Sequence, residues 1–376
     1  MVEQLRQLTE NWKDLYFVWV LAPYLEEEDP HLHYYYDYSQ SIQEYTQVFA
    51  RLGMPWKWQP VTMSTIEETI YSIKSSSNGR LPLVLNLCDG DEVNGAPGLS
   101  VIAALEKYQI IYTGADAHYY DITTSKIVMK KAFDSKEVPT APWVAVNGHL
   151  NAAQILQDIG APLIIKPSVS GGSMGLGVKN VVSTPEALLS RVDELQHGYK
   201  GWTLSGDGLF IEQFVAGKEY TVLITGSIDL PTHIHVYPAV ERVFHDKLPE
   251  EEKFLSYDRL WETYEAESSM PEDEFIYNYA PAPEELQPLL AQISLKAYES
   301  LQGRGYGRVD LRLQQSTGRI FVLEVNAQCG LSEDENYTSI GAILRFAGLT
   351  FSGLIEEILV DALHRTNQLQ PKNINI

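Results

Sequence analysis

Residues 307–326, GRVDLRLQQSTGRIFVLEVN, contain two apolar runs that charged and amide side chains interrupt at a spacing of two. We predict two strands, 307–313 and 320–326, that pair as a hairpin about Thr317 in the turn-rich stretch QQSTGR. Because side chains alternate between the faces of a strand, this register sorts the residues into two sets. One face carries the facing pairs Asp310–Glu324 and Arg308–Asn326, and Val309, Leu311, Leu323 and Val325 face away.

The polar face of this hairpin has two interpretations. Two carboxylates and an amide oxygen, from Asp310, Glu324 and Asn326, are hard ligands that suit Mg²⁺ or Mn²⁺ better than zinc. Magnesium also leaves positions open for phosphate oxygens, which fits a nucleotide site. Alternatively, Arg308 and the carboxylates form a buried ion-pair cluster that only stabilises the hairpin.

Three upstream stretches supply groups that suit phosphates. In LIIKPSVSGGSMGLGV (163–178), Lys166 ends an apolar strand and a glycine-rich loop follows, whose backbone N–H groups can close around phosphate oxygens. In ITTSKIVMKKAF (122–133), Lys126 begins a helix after Ser and Thr capping candidates, while Lys130 and Lys131 are expected on a solvated face. A third stretch, LFIEQFVAGKEYTV (209–222), places two glutamates around a glycine turn, where simple solvation is the alternative to a binding role.

Composition limits the classes of protein to consider. The 376 residues exceed the usual size of one hydrophobic core, so we expect two or three domains. A net charge of −22 argues against a nucleic-acid or anionic-membrane surface, because phosphate backbones are bound by clustered Lys and Arg. Only Cys88 and Cys329 are present, which excludes a disulfide framework but leaves one long-range bridge open. The apolar stretch 16–22 is too short for a membrane span and lacks a basic leader, so we expect a cytoplasmic protein.

The order of strand and helix signals changes along the chain. Before about residue 125, strands at 16–22 and 81–87 alternate with helices, which predicts a parallel, doubly wound sheet. Ligands of such sheets lie beyond the carboxyl ends of the strands, so we expect Asn86, Asp89 and Asp91 to line a cleft. Short strands joined by Gly and Pro turns follow, which predicts an antiparallel α+β segment. The acidic and aromatic stretch 246–283 is predicted as a long loop, and a final helix is expected over about 338–345.

Taken in order, these motifs resemble the ATP-grasp superfamily, most closely its D-alanine–D-alanine ligase branch, over roughly residues 81–365. The resemblance implies α/β and α+β architecture, the ATP-grasp fold, in which two α+β subdomains sandwich ATP beside a Rossmann-like domain. We expect the Rossmann-like parallel sheet at 1–125, the central subdomain with the glycine-rich loop at 126–218, and the subdomain with the magnesium site at 219–376. Relatives are commonly homodimers through the first domain, although nothing in the sequence marks that interface.

The resemblance also implies roles for individual residues. Lys126 and Lys166 match the lysines that hold the α- and β-phosphates, Glu219 the acceptor for the ribose hydroxyls, and the loop 171–175 the flap over the phosphates. The ATP-binding residues implied are Lys126, Lys166, Gly172, Ser173, Glu212, Gln213, Phe214, Val215 and Glu219; the magnesium or manganese ligands are Asp310, Glu324 and Asn326; and the catalytic residues are Arg308, Gly330 and Ser173.

The function implied is an ATP-dependent, ADP-forming ligase that joins a carboxylate, expected to belong to an amino acid, to an amine through an acyl phosphate. Two small-molecule substrates are its expected partners. One alternative couples an amino acid to a polyhydroxylated cyclohexenone, as in mycosporine-like pathways. A carboxylate kinase is a further alternative, and a catalytically inactive nucleotide-binding sensor is the alternative of another class.

The sequence departs from the D-alanine ligases where the substrates bind. The turn that holds the first substrate's ammonium is replaced by the acidic, aromatic stretch 22–41. The serine that receives the second substrate's carboxylate aligns with Glu335, followed by Asn336, and a like charge there would repel a carboxylate. The lysine–tyrosine pair of the long loop is also missing, with Tyr257, Arg259 and Trp261 as the candidate substitutes. We therefore predict a substrate pair other than two D-alanines, with Asp89, Asp91, Glu335 and Asn336 as substrate-binding candidates.

Overall fold

The computed structural model describes residues 12–26, 37–76, 79–148, 150–198, 204, 206–260, 267–268, 274–334, 336 and 338–369. These residues form three sheets, of four, six and four strands. In this part of the chain no helix is both long and apolar enough to cross a membrane. Cys88 and Cys329 are buried free thiols, so they do not form the long-range bridge that the sequence left open.

The first sheet is built from strands that alternate with helices. Its elements are β1 Tyr16–Pro23, α1 Ser39–Leu52, β2 Trp56–Val61, α2 Ile66–Ser75, β3 Leu81–Asn86, α3 Leu99–Lys107, β4 Ile111–Tyr112 and α4 Ala117–Thr124. The strands are parallel in the order β2-β1-β3-β4, which confirms the predicted parallel sheet. Helix α1 ends at Gly53, whose φ of 68° is a left-handed conformation that favours glycine. Strand β2 and helix α2 were not predicted from the sequence.

The second part of the chain forms a small antiparallel sheet with the order β5-β8-β6-β7. Its elements, with the helix that precedes it, are α5 Lys126–Ser135, β5 Trp143–Ala145, α6 Ala152–Ile159, β6 Leu163–Pro167, β7 Val181–Val182, α7 Pro185–Gln196 and β8 Leu209–Gln213. Helices α6 and α7 bury their apolar residues against this sheet. Helix α5 instead packs Met129 and Phe133 into the core of the largest sheet.

The largest sheet is antiparallel, has the order β12-β11-β9-β13-β14, and carries β10 paired with β9. Its elements and the final helices are β9 Gly217–Thr225, β10 His235–Val236, β11 Val240–Phe244, α8 Tyr257–Leu260, β12 Tyr277–Pro281, α9 Gln287–Ser300, β13 Tyr306–Gln314, β14 Ile320–Ala327, α10 Ser339–Ala347 and α11 Phe351–Leu369. The prediction of a loop over 246–283 was therefore wrong at α8 and β12. The predicted final helix is α10, but Gly348, at a φ of 65°, ends it and a further helix, α11, follows.

One hydrophobic core joins the first sheet to the largest one. Apolar residues of β1, β3 and α1 pack with residues of α10 and α11, including Ile343, Phe351 and Ile355. Leu223 and Tyr306 of the largest sheet belong to the same core. The carboxyl end of β3 is thereby held beside the loop that follows β14, and a cavity lies where the three sheets meet.

Candidate active site

A cavity of about 570 Å³ lies among the three sheets. Its walls are the glycine-rich loop, the ends of β6 and β8, one face of the largest sheet, and the loop after β14. Most of the residues singled out from the sequence line it: Asp89, Lys126, Lys166, Gly172, Ser173, Glu212, Gln213, Phe214, Val215, Glu219, Arg308, Asp310, Glu324, Asn326 and Gly330.

The hairpin β13–β14 has the predicted register at its polar end. Arg308 pairs with Asn326 and Asp310 with Glu324, and all four side chains line the cavity. The register shifts by one residue after Asp310, because a β-bulge inserts an extra residue into β14. The prediction that Leu323 faces away with the apolar set was therefore wrong.

The bulge changes both the pairing and the direction of one side chain. Leu311 pairs with Val322 in place of Leu323. Leu323 is half-buried and lines the cavity, whereas Val309, Leu311 and Val325 are fully buried in the core behind the sheet. One apolar side chain therefore lies beside the polar groups of the site.

Hydrogen bonds and ion pairs connect the polar residues of the hairpin. The carboxylate of Asp310 accepts from Arg308 Nη2 at 2.8 Å and from Thr221 Oγ1 at 2.9 Å. Asn326 Nδ2 donates to Asp310 Oδ2 at 3.0 Å and to Glu324 Oε1 at 3.2 Å. These contacts are those of the predicted ion-pair cluster, and they hold the two carboxylates side by side at the cavity wall.

The charges around the hairpin keep the carboxylate of Glu324 and the guanidinium of Arg308 ionised. Burial opposes ionisation of Glu324, but Lys126, Arg308 and Lys166 outweigh it and lower the pKa of Glu324 to about 2. Lys126 Nζ lies 3.4 Å from Glu324 Oε2. Burial also disfavours the charged form of Arg308, yet Asp310 raises its pKa above the ordinary value. The site thus presents fixed charges of both signs.

The donor set fits a hard divalent cation. Asp310, Glu324 and Asn326 offer two carboxylates and one amide, and the oxygen and nitrogen of an amide exchange places by a simple flip. Among the described residues, no group of three or more His, Cys, Asp or Glu side chains is placed to hold a metal ion. A metal at this hairpin would therefore require the amide oxygen and ligands from water or phosphate.

Lys166 and Lys130 share one buried carboxylate. Glu212, at the end of β8 and 1% exposed, lies 2.6 Å from the Nζ of each lysine. Burial opposes ionisation of Glu212, yet the two lysines hold its pKa below the ordinary value. Burial lowers the pKa of Lys130, although the nearby carboxylate opposes that shift.

The expectation of a solvated Lys130 was wrong. Lys130 is 1% exposed and also donates to Thr140 Oγ1 at 2.7 Å, whereas Lys131 is exposed as expected. Lys126 and Lys130 are four residues apart on α5, so both lie on the same face of that helix. This spacing of four residues is the signal in the sequence that could have predicted that Lys130 lies on the same side of α5 as Lys126.

The glycine-rich loop closes over one side of the cavity. Gly171, Gly172 and Ser173 line it, and Lys126 Nζ donates to the carbonyl of Ser170 at 3.0 Å. Gly175 has a φ of 72°, and a Cβ there would lie 2.4 Å from Leu204 Cδ1. Glycine is favoured at this position, since the φ is left-handed and a Cβ would press on the side chain of Leu204.

Two arginines hold Glu219, the predicted ribose acceptor. Glu219 is buried and pairs with Arg242 of β11 and with Arg312 of β13, which lie opposite it in the sheet. Arg312 Nη1 also donates to the carbonyl of Val215 at 2.8 Å. The carboxylate of Glu219 and the segment 212–215 are thereby fixed relative to each other along the cavity wall.

The end of the cavity nearest the first sheet is acidic and rich in hydroxyl groups. Ser41, Asp89, Ser332 and Thr338 line it. Asp89 is exposed at the cavity wall, yet desolvation by the protein around it, with a smaller contribution from Asp91, raises the pKa of Asp89 to about 6.

Other substrate candidates do not lie at this wall. Asp91 accepts from the backbone and side-chain nitrogens of Asn94 in its own turn, and Asn86 is fully buried behind the cleft. Asn336 is exposed, its backbone N–H donates to Asp334, and it is not among the described residues that line the cavity. Glu335 lies outside the described residues. The predicted positions were wrong for Asn86, Asp91 and Asn336 because local turns and strand burial determine where their side chains point.

Comparison with known proteins decides the family. The family model described as D-ala D-ala ligase C-terminus matches residues 133–360, more than half of the chain. The chain belongs to this family. It is 25% identical over 261 residues to the D-alanine–D-alanine ligase of Nitrosococcus oceani, a match that covers 69% of this chain and 72% of that protein.

Solved structures show the same fold. The D-alanine–D-alanine ligase of Bacillus anthracis complexed with ATP matches with a TM-score of 0.64 at 18% identity, over 94% of this chain and 99% of that one. The enzyme of Coxiella burnetii matches with a TM-score of 0.61 at 14% identity, over 94% and 96% of the two chains. The protein therefore has the ATP-grasp fold and is a D-alanine–D-alanine ligase-like ligase, which confirms the resemblance inferred from the motifs.

Part of this ligase's cavity wall was not predicted from the sequence. Arg242, Tyr277 and Tyr279 line the cavity from β11 and β12, and Arg242 Nη2 donates to Tyr279 Oη at 3.1 Å. The predicted substitutes for the lysine–tyrosine pair, Tyr257 and Arg259, are buried away from the cavity, and Trp261 lies outside the described residues. Arg242 and Tyr279 are cross-strand neighbours, a relation that the sequence does not display.

Proposed function

We propose that this ligase uses ATP and a divalent cation to activate a carboxylate as an acyl phosphate and then transfers the acyl group to an amine. The observation that carries the proposal is one cavity lined together by Lys126, Lys166, the glycine-rich loop, Asp310 and Glu324. Cations, backbone donors and hard oxygen ligands around one space are the arrangement that phosphoryl transfer requires.

The nucleotide would lie along this cavity. Lys126 and Lys166 would bind the α- and β-phosphates under the loop that holds Gly172 and Ser173. The segment 212–215 would bind the adenine, and Glu219 would accept from the ribose hydroxyls. Fixing Glu219 between two arginines supports this role, because a carboxylate held in place orders a ligand at lower entropic cost.

Asp310, Glu324 and Asn326 would hold Mg²⁺ or Mn²⁺. A divalent ion there supplies charge neutralisation for the transferring phosphoryl group. The oxygen donor set and the low pKa of Glu324 support this assignment, since a carboxylate that stays ionised remains available to a cation.

The reaction would proceed in two steps. A carboxylate oxygen of the first substrate attacks the γ-phosphorus, the bond to the β-phosphate oxygen breaks, and ADP leaves. The amine then attacks the acyl carbon, the C–O bond to phosphate breaks, and phosphate leaves with one former carboxylate oxygen. Arg308 and the N–H of Gly330 would stabilise the oxyanion of the tetrahedral intermediate, and Arg308 suits this role because it stays charged beside the cavity.

The substrate pair is proposed to differ from two D-alanines. The cavity end lined by Ser41, Asp89, Ser332 and Thr338 offers a carboxylate and hydroxyls, which suit an ammonium or hydroxyl-bearing group rather than a free carboxylate. The same hydroxyl-rich lining supports the second candidate, an acceptor that is a polyhydroxylated cyclohexenone. A homodimer through the first domain is part of the proposal by analogy with relatives alone.

The test is ADP release from MgATP against an array of single amino acids, amino-acid pairs and cyclohexenone acceptors, with Asp310→Asn as the inactive control. ADP formed only with particular pairs would support the ligase and identify its substrates. ADP formed with D-alanine alone would refute the altered pocket. Binding of MgATP without turnover on any compound would favour the nucleotide-binding sensor.

A further inference from the structure

The two segments that carry the proposed phosphate-binding lysines are fastened to each other directly. The backbone N–H of Lys126, at the start of α5, donates to the carbonyl of Ser168 at 2.8 Å. The N–H of Ile127 donates to Ser168 Oγ at 3.3 Å. Ser168 follows Lys166 by two residues, so these bonds fix the start of α5 against the end of β6.

A single carboxylate oxygen joins the serines at this junction. Ser125 Oγ donates to Asp207 Oδ2 at 2.5 Å, and Ser168 Oγ donates to the same oxygen at 2.9 Å. The two hydroxyl oxygens lie 2.9 Å apart. Ser125 is the N-cap of α5 and directly precedes Lys126, and both serines are buried.

Asp207 belongs to the turn that leads into β8. The turn is fixed to the same junction, since the carbonyl of Gly208 accepts from the N–H of Ser168 at 2.9 Å. Five residues further, at the end of β8, Glu212 binds Lys166 and Lys130. The two segments that carry the lysines are therefore contacted twice. Asp207, just before β8, binds Ser125 and Ser168, and Glu212, near the end of β8, binds Lys130 and Lys166.

We propose that Asp207 is a positioning residue for nucleotide binding, which holds Ser125 and Ser168 so that Lys126 and Lys166 face the same phosphates. This inference rests on the proposed function, because it assumes that these lysines bind ATP. Charge-assisted hydrogen bonds are stronger and shorter than neutral ones, and displacements of a few tenths of an ångström in binding groups weaken a site. Asp207 itself is exposed and contributes to no core cluster, so its loss should affect the site more than the fold.

The experiment compares Asp207→Ala, Asp207→Asn and Asp158→Ala by calorimetric titration with MgADP and by thermal unfolding without nucleotide. Asp158 is the matched control, an exposed carboxylate on α6 that accepts only from Gln154 among the contacts described. We expect Asp207→Ala to weaken MgADP binding by about tenfold or more, because Lys126 and Lys166 are then no longer held in position toward the same phosphates. Asp207→Asn should stay within about threefold of wild type, because both serines donate to one oxygen that an amide oxygen can replace. The thermal midpoint of Asp207→Ala should fall by about 1–4 °C, because two buried hydroxyls lose their acceptor, whereas the midpoints of Asp207→Asn and Asp158→Ala should agree with that of the wild type.

The outcomes separate this inference from the proposed function. Wild-type affinity in Asp207→Ala would overturn the inference, as would equal weakening in Asp158→Ala or the lack of rescue in Asp207→Asn. Lys126→Ala and Lys166→Ala are titrated in parallel. If they bind MgADP as the wild type does, the proposed function fails; if they lose binding while Asp207→Ala keeps it, only the inference fails.

Discussion

Replacing Lys130 by methionine is expected to destabilise the fold, because the buried carboxylate of Glu212 is left with one partner. Lys130 Nζ lies 2.6 Å from Glu212 Oε2 and 2.7 Å from Thr140 Oγ1, and both charged side chains are 1% exposed. Methionine matches the length of the lysine stem, so the change removes the charge and leaves little extra space. The effect measured is therefore mainly that of the ion pair.

The size of the effect follows from the burial of this pair. Removing one partner of a buried ion pair costs about 3–5 kcal/mol. Lys166 still lies 2.6 Å from Glu212 Oε1, so we expect the lower end, about 3 kcal/mol in the free energy of unfolding. At about 2.1 cal/mol/K per residue the 376-residue chain has an unfolding entropy of about 0.8 kcal/mol/K, so the thermal midpoint should fall by about 4 °C.

Thermal unfolding at neutral pH measures this difference, and the chain provides its own control. Lys131 is the next residue on the same helix and is exposed, so Lys131→Met should change the free energy of unfolding by less than about 0.5 kcal/mol. In the double variant Lys130→Met/Glu212→Gln, the buried carboxylate that has lost one of its two partners is gone, and part of the loss should be recovered. Equal midpoints for Lys130→Met and Lys131→Met would refute the buried ion pair.

Three further changes test other parts of the site. Glu324 has a folded pKa of about 2 against an ordinary 4.5, so its ionised form stabilises the fold fully above pH 4.5, and this stabilisation is lost as the pH falls toward 2. When the free energy of unfolding is measured against pH, Glu324→Gln should therefore lose less stability over this range than the wild type. Arg308→Met should lower the turnover number by about 10²–10³ while binding of MgADP changes little, since the guanidinium is assigned to the oxyanion; steady-state kinetics on the substrates found in the array measure this. Gly175→Val should lower the thermal midpoint, because its Cβ would lie 2.4 Å from Leu204 Cδ1 at a φ of 72°, and an unchanged midpoint would show that the loop has room.

The polar hairpin was predictable because it depends on local alternation. A turn near Thr317 and a period of two are enough to place Asp310 opposite Glu324, and the structure has that pairing. The bulge after Asp310 was not predictable, since an extra residue in one strand leaves no mark in the apolar pattern. Leu323 therefore lines the cavity instead of the core.

The positions of charged residues beyond the motifs depended on tertiary contacts. Lys130 and Lys131 look alike in the sequence, yet only Lys130 lies on the face of α5 that meets Glu212. Arg242 faces Glu219 because β11 pairs with β9, a pairing of segments more than twenty residues apart. The predicted residues line the cavity where strands and the glycine-rich loop position them, whereas Asp91 and Asn336, which lie in short turns, are outside its described lining.

The most direct test of the acyl-phosphate mechanism follows one atom. The carboxylate substrate identified in the array is labelled with oxygen-18 at both carboxylate oxygens and converted with MgATP and the amine, and the released phosphate is analysed by mass spectrometry. An acyl-phosphate intermediate predicts one labelled oxygen in each phosphate and the other in the product. Unlabelled phosphate would contradict carboxylate activation. In a parallel reaction in which only the ketone or enol oxygen of the acceptor is labelled, labelled phosphate would support the cyclohexenone ligase.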